Sequence, residues 1–159
     1  MTMIKIYRQH RFMIFFVLKC FQIPNLQIGR KMPGCGLLTF EKVHTIVVAG
    51  GEDSNGIRLN DVEILQFQKG EYVIDSMTKS SWKSMPSLNF ARSNFPSVGL
   101  VKGLLTVAAG DVDSTDHREQ VLIERFDEDS ESWTISQDAL KTPRFGHSTL
   151  KVSKDWCEP

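Results

Sequence analysis

Two tryptophans in matching surroundings, Trp82 and Trp133, stand 51 residues apart. Two arginines downstream of them, Arg92 and Arg144, stand 52 apart, and Gly51 and Gly110 stand 59 apart. The larger interval is a matter of loop length: residues 69–81 lead up to Trp82, whereas only residues 127–132 lead up to Trp133. A recurrence near 50 residues requires a fold made of equivalent units, each too small to bury its own apolar faces. The segments between these markers read as strands. Thr45-Ile46-Val47-Val48-Ala49 is a short continuous apolar run ended by Gly50-Gly51, which suits a strand covered on both faces. Residues 61–67 alternate partially, and residues 72–74 and Trp82 follow. The order then repeats as residues 97–101, 104–108 and 120–126, and Trp133. No window longer than about ten residues carries the i, i+3, i+4 apolar spacing of a helix. The pattern is all-β.

The details around the markers resemble the kelch repeat, in which each unit is one four-stranded blade of a β-propeller. Val48-Ala49-Gly50-Gly51 is similar to the diglycine that ends the second strand of a kelch blade. Asp61-Val62-Glu63 and Ile123-Glu124-Arg125-Phe126-Asp127 resemble its third strand, and Trp82 and Trp133 stand where an aromatic opens the fourth. Residues 85–92, from Met85-Pro86 to Ala91-Arg92, look like the link into the next blade. Thr142-Pro143-Arg144-Phe145-Gly146-His147-Ser148 looks like its second copy. The second unit reads Ala108-Ala109-Gly110, without the first glycine of its pair. The resemblance implies kelch-type blades, antiparallel four-stranded sheets of an incomplete propeller. Residues 32–159 would hold about two blades and the first strand of a third, over residues 145–152. Gly50, Gly51, Trp82 and Trp133 would be structural: the glycines for tight backbone, the indoles for packing between blades. Propellers close with about four to eight blades, so such a chain is expected to be a piece of a longer propeller or to self-associate to close one.

Charge is unevenly spread. The 159 residues carry 19 basic and 19 acidic groups, yet residues 1–31 hold six bases and no acid, which leaves the remainder acidic. An acidic body argues against nucleic-acid binding, which leans on phosphate neutralisation. Phe12-Met13-Ile14-Phe15-Phe16-Val17-Leu18 follows the basic stretch. It is too short to span a bilayer as a helix and lacks small residues at a cleavage site. Residues 1–31 are therefore expected to be a basic, apolar leader outside the fold, with the protein cytoplasmic and a membrane role disfavoured. Cys20, Cys35 and Cys157 show no paired spacing for zinc or a disulfide framework.

No nucleophile elbow, Walker loop or HExxH motif is present, and the glycines of Gly34-Cys35-Gly36 precede a strand rather than a helix. Asp127, Asp129 and Glu131 mimic the start of a calcium loop, but Ser132 stands where the turn demands glycine. No catalytic residue, metal or cofactor is assigned. The reading is a non-enzymatic interaction module that binds a protein or peptide partner through two kinds of loop. The loop after the diglycine supplies Asp53, Asn55 and Arg58, and the links supply Arg92, Ser93, Asn94 and Arg144. Arginines among small polar residues suit an acidic peptide. The alternatives are a secreted or surface structural fragment and, further off, a metal-dependent propeller of the oxidase type.

Overall fold

The computed structural model describes residues 19–68, 77–112 and 119–147, together with the backbone of two strands that precede them. Strands β1 (Met3–Ile6), β2 (Phe12–Phe16) and β3 (Lys19–Gln22) form an antiparallel three-stranded sheet. Next come β4 (Gly34–Thr39), β5 (Val43–Ala49), β6 (Val62–Gln68) and β7 (Trp82–Met85), an antiparallel meander in that spatial order. A short strand β8 (Arg92–Ser93) leads to β9 (Ser97–Val101), β10 (Leu104–Ala108), β11 (Asp111–Val112), β12 (Leu122–Asp127) and β13 (Ser132–Ala139). Strands β9, β10, β12 and β13 make the second four-stranded antiparallel sheet, and β11 turns aside to pair with β8. The protein is all-β, built of open antiparallel sheets. The segment at residues 72–74, expected as a strand, lies outside the described residues, as does most of the segment at 145–152.

The burial pattern explains the apolar run at β5. Ile46 and Val48 point to one face of the first sheet and join Leu65, Phe67 and Trp82 in one core cluster. Val47 and Ala49 point to the other face and pack with Leu88 of the link after β7 and with Val98, Val107 and Trp133 of the second sheet. With both faces covered, all four residues from Ile46 to Ala49 are fully buried. A strand between two cores has no use for polar alternation.

Where the two sheets meet, β4 runs against β9. A Cβ on Gly34 would collide with the Pro96 carbonyl, and one on Gly36 would lie 2.6 Å from the Val98 carbonyl. The glycines of Gly34-Cys35-Gly36 therefore serve the close approach of two backbones.

The structure moves the boundary drawn at residue 31. Ile23 and Leu26 are buried in the first core cluster with Trp82, and Arg30 is buried beside Glu63. Strand β3 runs directly into this segment, as β7 runs into Pro86. The apolar stretch expected to be a leader outside the fold instead contributes β2, the middle strand of a sheet. A basic flank and a run of phenylalanines resemble a targeting segment in composition, but period-2 pairing uses the same residues. No helix among the described residues is long and apolar enough to cross a membrane.

Candidate functional site

The polar chemistry of the chain is concentrated where a link enters a sheet, and the arrangement is built twice. Arg30 Nη2 meets Glu63 Oε1 at 2.7 Å, and Arg92 Nη2 meets Glu124 Oε1 at 2.8 Å. All four side chains are essentially withdrawn from water. Each arginine also donates to a main-chain carbonyl just past the second strand of its sheet, and Arg30 to one just before the third. Arg30 Nη1 reaches Gly50 O (2.9 Å) and Asp61 O (2.8 Å), and Arg92 Nη1 reaches Ala109 O (2.9 Å). The carboxylates are saturated from the link side. Glu63 accepts the backbone N–H groups of Gln27 and Ile28, and Glu124 accepts the backbone N–H and the side-chain amide of Asn89.

Each link is also fastened to the tryptophan of its sheet. Trp82 Nε1 donates to Pro24 O and Trp133 Nε1 to Pro86 O, each at 2.8 Å. Gln27 Nε2 donates to Trp82 O, and Asn89 Nδ2 to Trp133 O. Residues 23–30 and 85–92 are thus two copies of one device: proline two residues before a buried leucine, an amide side chain next, and an arginine six residues after the proline. Burial pushes the Arg92 guanidinium below its usual pKa, and the facing Glu124 pulls it back.

A second layer of charge lies outside these ties. Arg58 Nη2 pairs with Asp111 Oδ2 at 2.6 Å and so joins the loop of the first sheet to β11. Glu52 pairs with Lys31 at 3.1 Å and accepts the Ser93 hydroxyl at 3.0 Å. The Lys31 ammonium chiefly holds the Glu52 carboxyl below its ordinary pKa.

Of the residues expected to meet a partner, Arg92 and Ser93 are corrected: both are 0% exposed. Arg92 is spent on Glu124 and Ser93 on Glu52, so neither has a surface to offer. Arg58 is half-buried and engaged with Asp111 and Ser93. Asp53 is half-buried and shapes its own turn, with Oδ1 accepting the backbone N–H of Asn55 and of Ile57 at 2.8 Å each. Asn55 is exposed at the tip of that turn, Asn94 is half-buried at φ 57°, and Arg144 is exposed. Gly50 and Gly51 are buried at positive φ, and Trp82 and Trp133 are buried.

Two further side chains on these loops stand out in the structure. Ile57 is 62% exposed and Phe95 is 46% exposed. Phe95 also sits at φ 60°, an uncommon conformation for a bulky residue. Their signal in the sequence is a large apolar residue within a polar loop, Ile57 after Ser54-Asn55-Gly56 and Phe95 after Ser93-Asn94. The loops are neighbours, since Gly51 N donates to Arg92 O and Arg58 reaches Ser93.

The Asp53 turn has a predictable pH response. Hydrogen bonds from the backbone N–H of Ile57 foremost, and of Asn55, hold the Asp53 carboxyl below its ordinary pKa. Its contribution is complete above the unfolded value near ~3.9 and is lost as pH falls through the lowered folded value. The Ile57 and Asn55 amide resonances are expected to stay fixed on acidification through pH ~4 and to shift only below it. A shift centred at or above that value would refute the turn.

Other polar groups explain themselves locally. Asp127 Oδ1 accepts the backbone N–H of Asp129 and Ser130, and Asp138 pairs with Arg125 at 2.7 Å. The calcium-like residues therefore form a hairpin turn, and no group of three potential metal ligands occurs among the described residues. Cys35 lies under the first core cluster, where burial pushes its thiol up to about 12. A groove of about 480 Å³ separates the diverging ends of β4 and β9, lined by Leu37, Thr39, Gly99 and Val101 among others.

This architecture of consecutive antiparallel four-stranded sheets, laced by links, has counterparts among solved structures. One is a fungal alcohol oxidase of the AA5 family in complex with copper, which superposes with a TM-score of 0.57 at 13% sequence identity. The match covers 90% of this chain and 30% of that protein, so the chain spans under a third of its length. At that identity the likeness concerns the fold alone. No protein-family model matches the chain. No curated protein matches it either.

Proposed function

We propose that the two four-stranded sheets are consecutive kelch-type blades and that the protein is a non-enzymatic interaction module, binding a protein or peptide segment at the loop end of the sheets. The observation that carries this reading is the pair Ile57 and Phe95, large apolar side chains held in water on adjoining loops. Phe95 is held there by a backbone conformation that costs of order 1–3 kcal/mol. A scaffold gains nothing from that arrangement, whereas a binding surface gains an anchor with little entropy left to lose. Asn55 and Asn94 flank the pair with amide groups. The arginines expected to supply carboxylate recognition, Arg58 and Arg92, are mainly structural, which shifts the weight of the proposed contact from charge to apolar anchoring.

The test is selection of peptide ligands from a displayed random library on the full chain, followed by binding to an Ile57→Ser/Phe95→Ser variant. Loss of at least ~10-fold in affinity is expected, with a melting temperature within about 2 °C of the parent because neither side chain is in a core. Ligands that bind parent and variant equally, or failure to select any, would remove the basis of the proposal. Stoichiometric copper in the purified protein would favour the oxidase-type alternative instead.

A further inference from the structure

The chain holds five asparagines, and Asn55 alone is followed by glycine; the others precede Leu26, Asp61, Phe90 and Phe95. An asparagine carries its own electrophile, the side-chain amide carbon, within reach of the main-chain nitrogen of the next residue. Closure of these two atoms into a five-membered imide is hindered in two ways. The next side chain obstructs the approach, and hydrogen bonds hold the amide and the nitrogen apart.

At Asn55 both hindrances are weak. Residues 54–57 are all exposed. A Cβ at Gly56 would meet nothing within 4 Å, and Gly56 sits at φ 82°, a conformation that glycine takes without strain. The Gly56 N–H donates to Asp53 O at 3.2 Å, a long bond beside the 2.9 Å from Asp53 N to Ile57 O in the same loop. The Asn55 side-chain amide reaches Asp53 Oδ2 at 3.4 Å. The other asparagines differ. Asn60 Nδ2 is held by Leu88 O at 3.0 Å, and Asn89 Nδ2 by Glu124 and by Trp133 O at 2.9 Å each. Asn94 is half-buried, and Asn25 precedes the buried Leu26.

We propose that Asn55 is a self-modification site, where the chain converts its own asparagine to isoaspartate and thereby dismantles the Asp53 turn. The Gly56 nitrogen attacks Asn55 Cγ and gives up its proton. A bond from that nitrogen to Cγ forms as the bond from Cγ to Nδ2 breaks, and Nδ2 leaves as ammonia. Water then opens the imide at one carbonyl or the other, giving aspartate or isoaspartate. One water is consumed, one ammonia is released, and no atom changes oxidation state. In isoaspartate the main chain runs through the former side chain and gains a methylene between the amides of residues 55 and 57. Asp53 Oδ1 accepts both of those amides at 2.8 Å, and the lengthened chain no longer presents both to one oxygen. The product also sets a new carboxylate beside that of Asp53, and the like charges repel. The turn is therefore intact in newly made protein and lost with age.

The test keeps the full chain folded in warm, mildly alkaline buffer and maps samples by mass spectrometry after digestion in acid, which halts further closure. The exchange of amide for acid is expected at residue 55, at least ~10-fold faster than at any other asparagine, with isoaspartate among the products. The Ile57 amide resonance is expected to move in the isoaspartate form. It is expected to stay in place in freshly made Asn55→Asp protein, which adds the charge without the methylene. Asn55→Gln, whose longer side chain must close a less favourable ring, is expected to keep its mass throughout. An Asn55 that persists in the folded chain would overturn the proposal, and its reaction in urea alone would show that the turn shields it. Comparable rates at Asn60 or Asn89 would also overturn it, as would an isoaspartate form whose Ile57 resonance has not moved.

Discussion

Replacing Arg92 by methionine is expected to destabilise the protein by about 3–5 kcal/mol, the cost of leaving a buried charge without its partner. Glu124 is 0% exposed and would keep only the Asn89 donors. The Ala109 carbonyl would lose its guanidinium donor as well. Since natural domains are stable by only about 5–15 kcal/mol, the variant is expected to be largely unfolded in moderate urea where the parent is folded. Arg30→Met is expected to act alike through Glu63. The informative comparison is the double variant Arg92→Met/Glu124→Leu, which removes both charges and keeps apolar volume. Replacing a buried pair in this way is often neutral or stabilising, so most of the loss is expected to return. Chemical denaturation of the four chains decides the matter. A single variant within about 1 kcal/mol of the parent would mean that the tie is not the buried, water-free pair described here. A double variant as weak as the single one would place the effect in packing rather than charge.

The same pair shows what a sequence reading can and cannot reach. The apolar run at residues 45–49, the tryptophans and the glycine pair are legible because each announces its environment through size or period. Glu63 and Glu124 announce nothing: a glutamate in a partly alternating strand reads as a solvated residue, and its partner stands 33 or 32 positions upstream. Arg92 accordingly reads as a partner-binding residue, because an arginine in a polar link is indistinguishable from a buried one until the facing carboxylate is known. The first copy of the link is hard to see in the sequence for a related reason. Residues 23–30 and 85–92 share proline, leucine and arginine, but the amide is Gln27 in one and Asn89 in the other. Their equivalence lies in what the side chains reach: a strand glutamate and a tryptophan carbonyl. Phe95 misleads in the opposite direction, since a phenylalanine reads as core unless the backbone is seen to hold it outward.

Gly50→Ala and Ala109→Gly are expected to move stability in opposite directions, although the two positions are equivalent in the repeat. Gly50 has φ 64° and Ala109 has φ 60°, so the backbone demand is the same. The left-handed conformation costs an L-residue roughly 1–2 kcal/mol. Ala109 already bears that cost. Relieving it with glycine is offset in part by the greater freedom of glycine in the unfolded chain, worth about 0.5–1 kcal/mol. A net gain of about 0.5–1 kcal/mol is expected for Ala109→Gly. At Gly50 the conformational cost is joined by a collision, because an added Cβ would run into the Arg92 carbonyl. That carbonyl is fixed on both sides, by the Gly51 N–H and by the buried Arg92 side chain, so it has nowhere to retreat. Overpacking of this kind adds about 1–3 kcal/mol, and a total loss of about 2–4 kcal/mol is expected for Gly50→Ala, read from denaturant midpoints. Equal effects at the two positions would mean that φ alone governs them and that the Arg92 link is not rigid. Unequal effects would tie the choice of residue to the arginine alongside: alanine is tolerated at 109, where the adjoining Arg144 is exposed, and glycine is required at 50, where the adjoining Arg92 is buried.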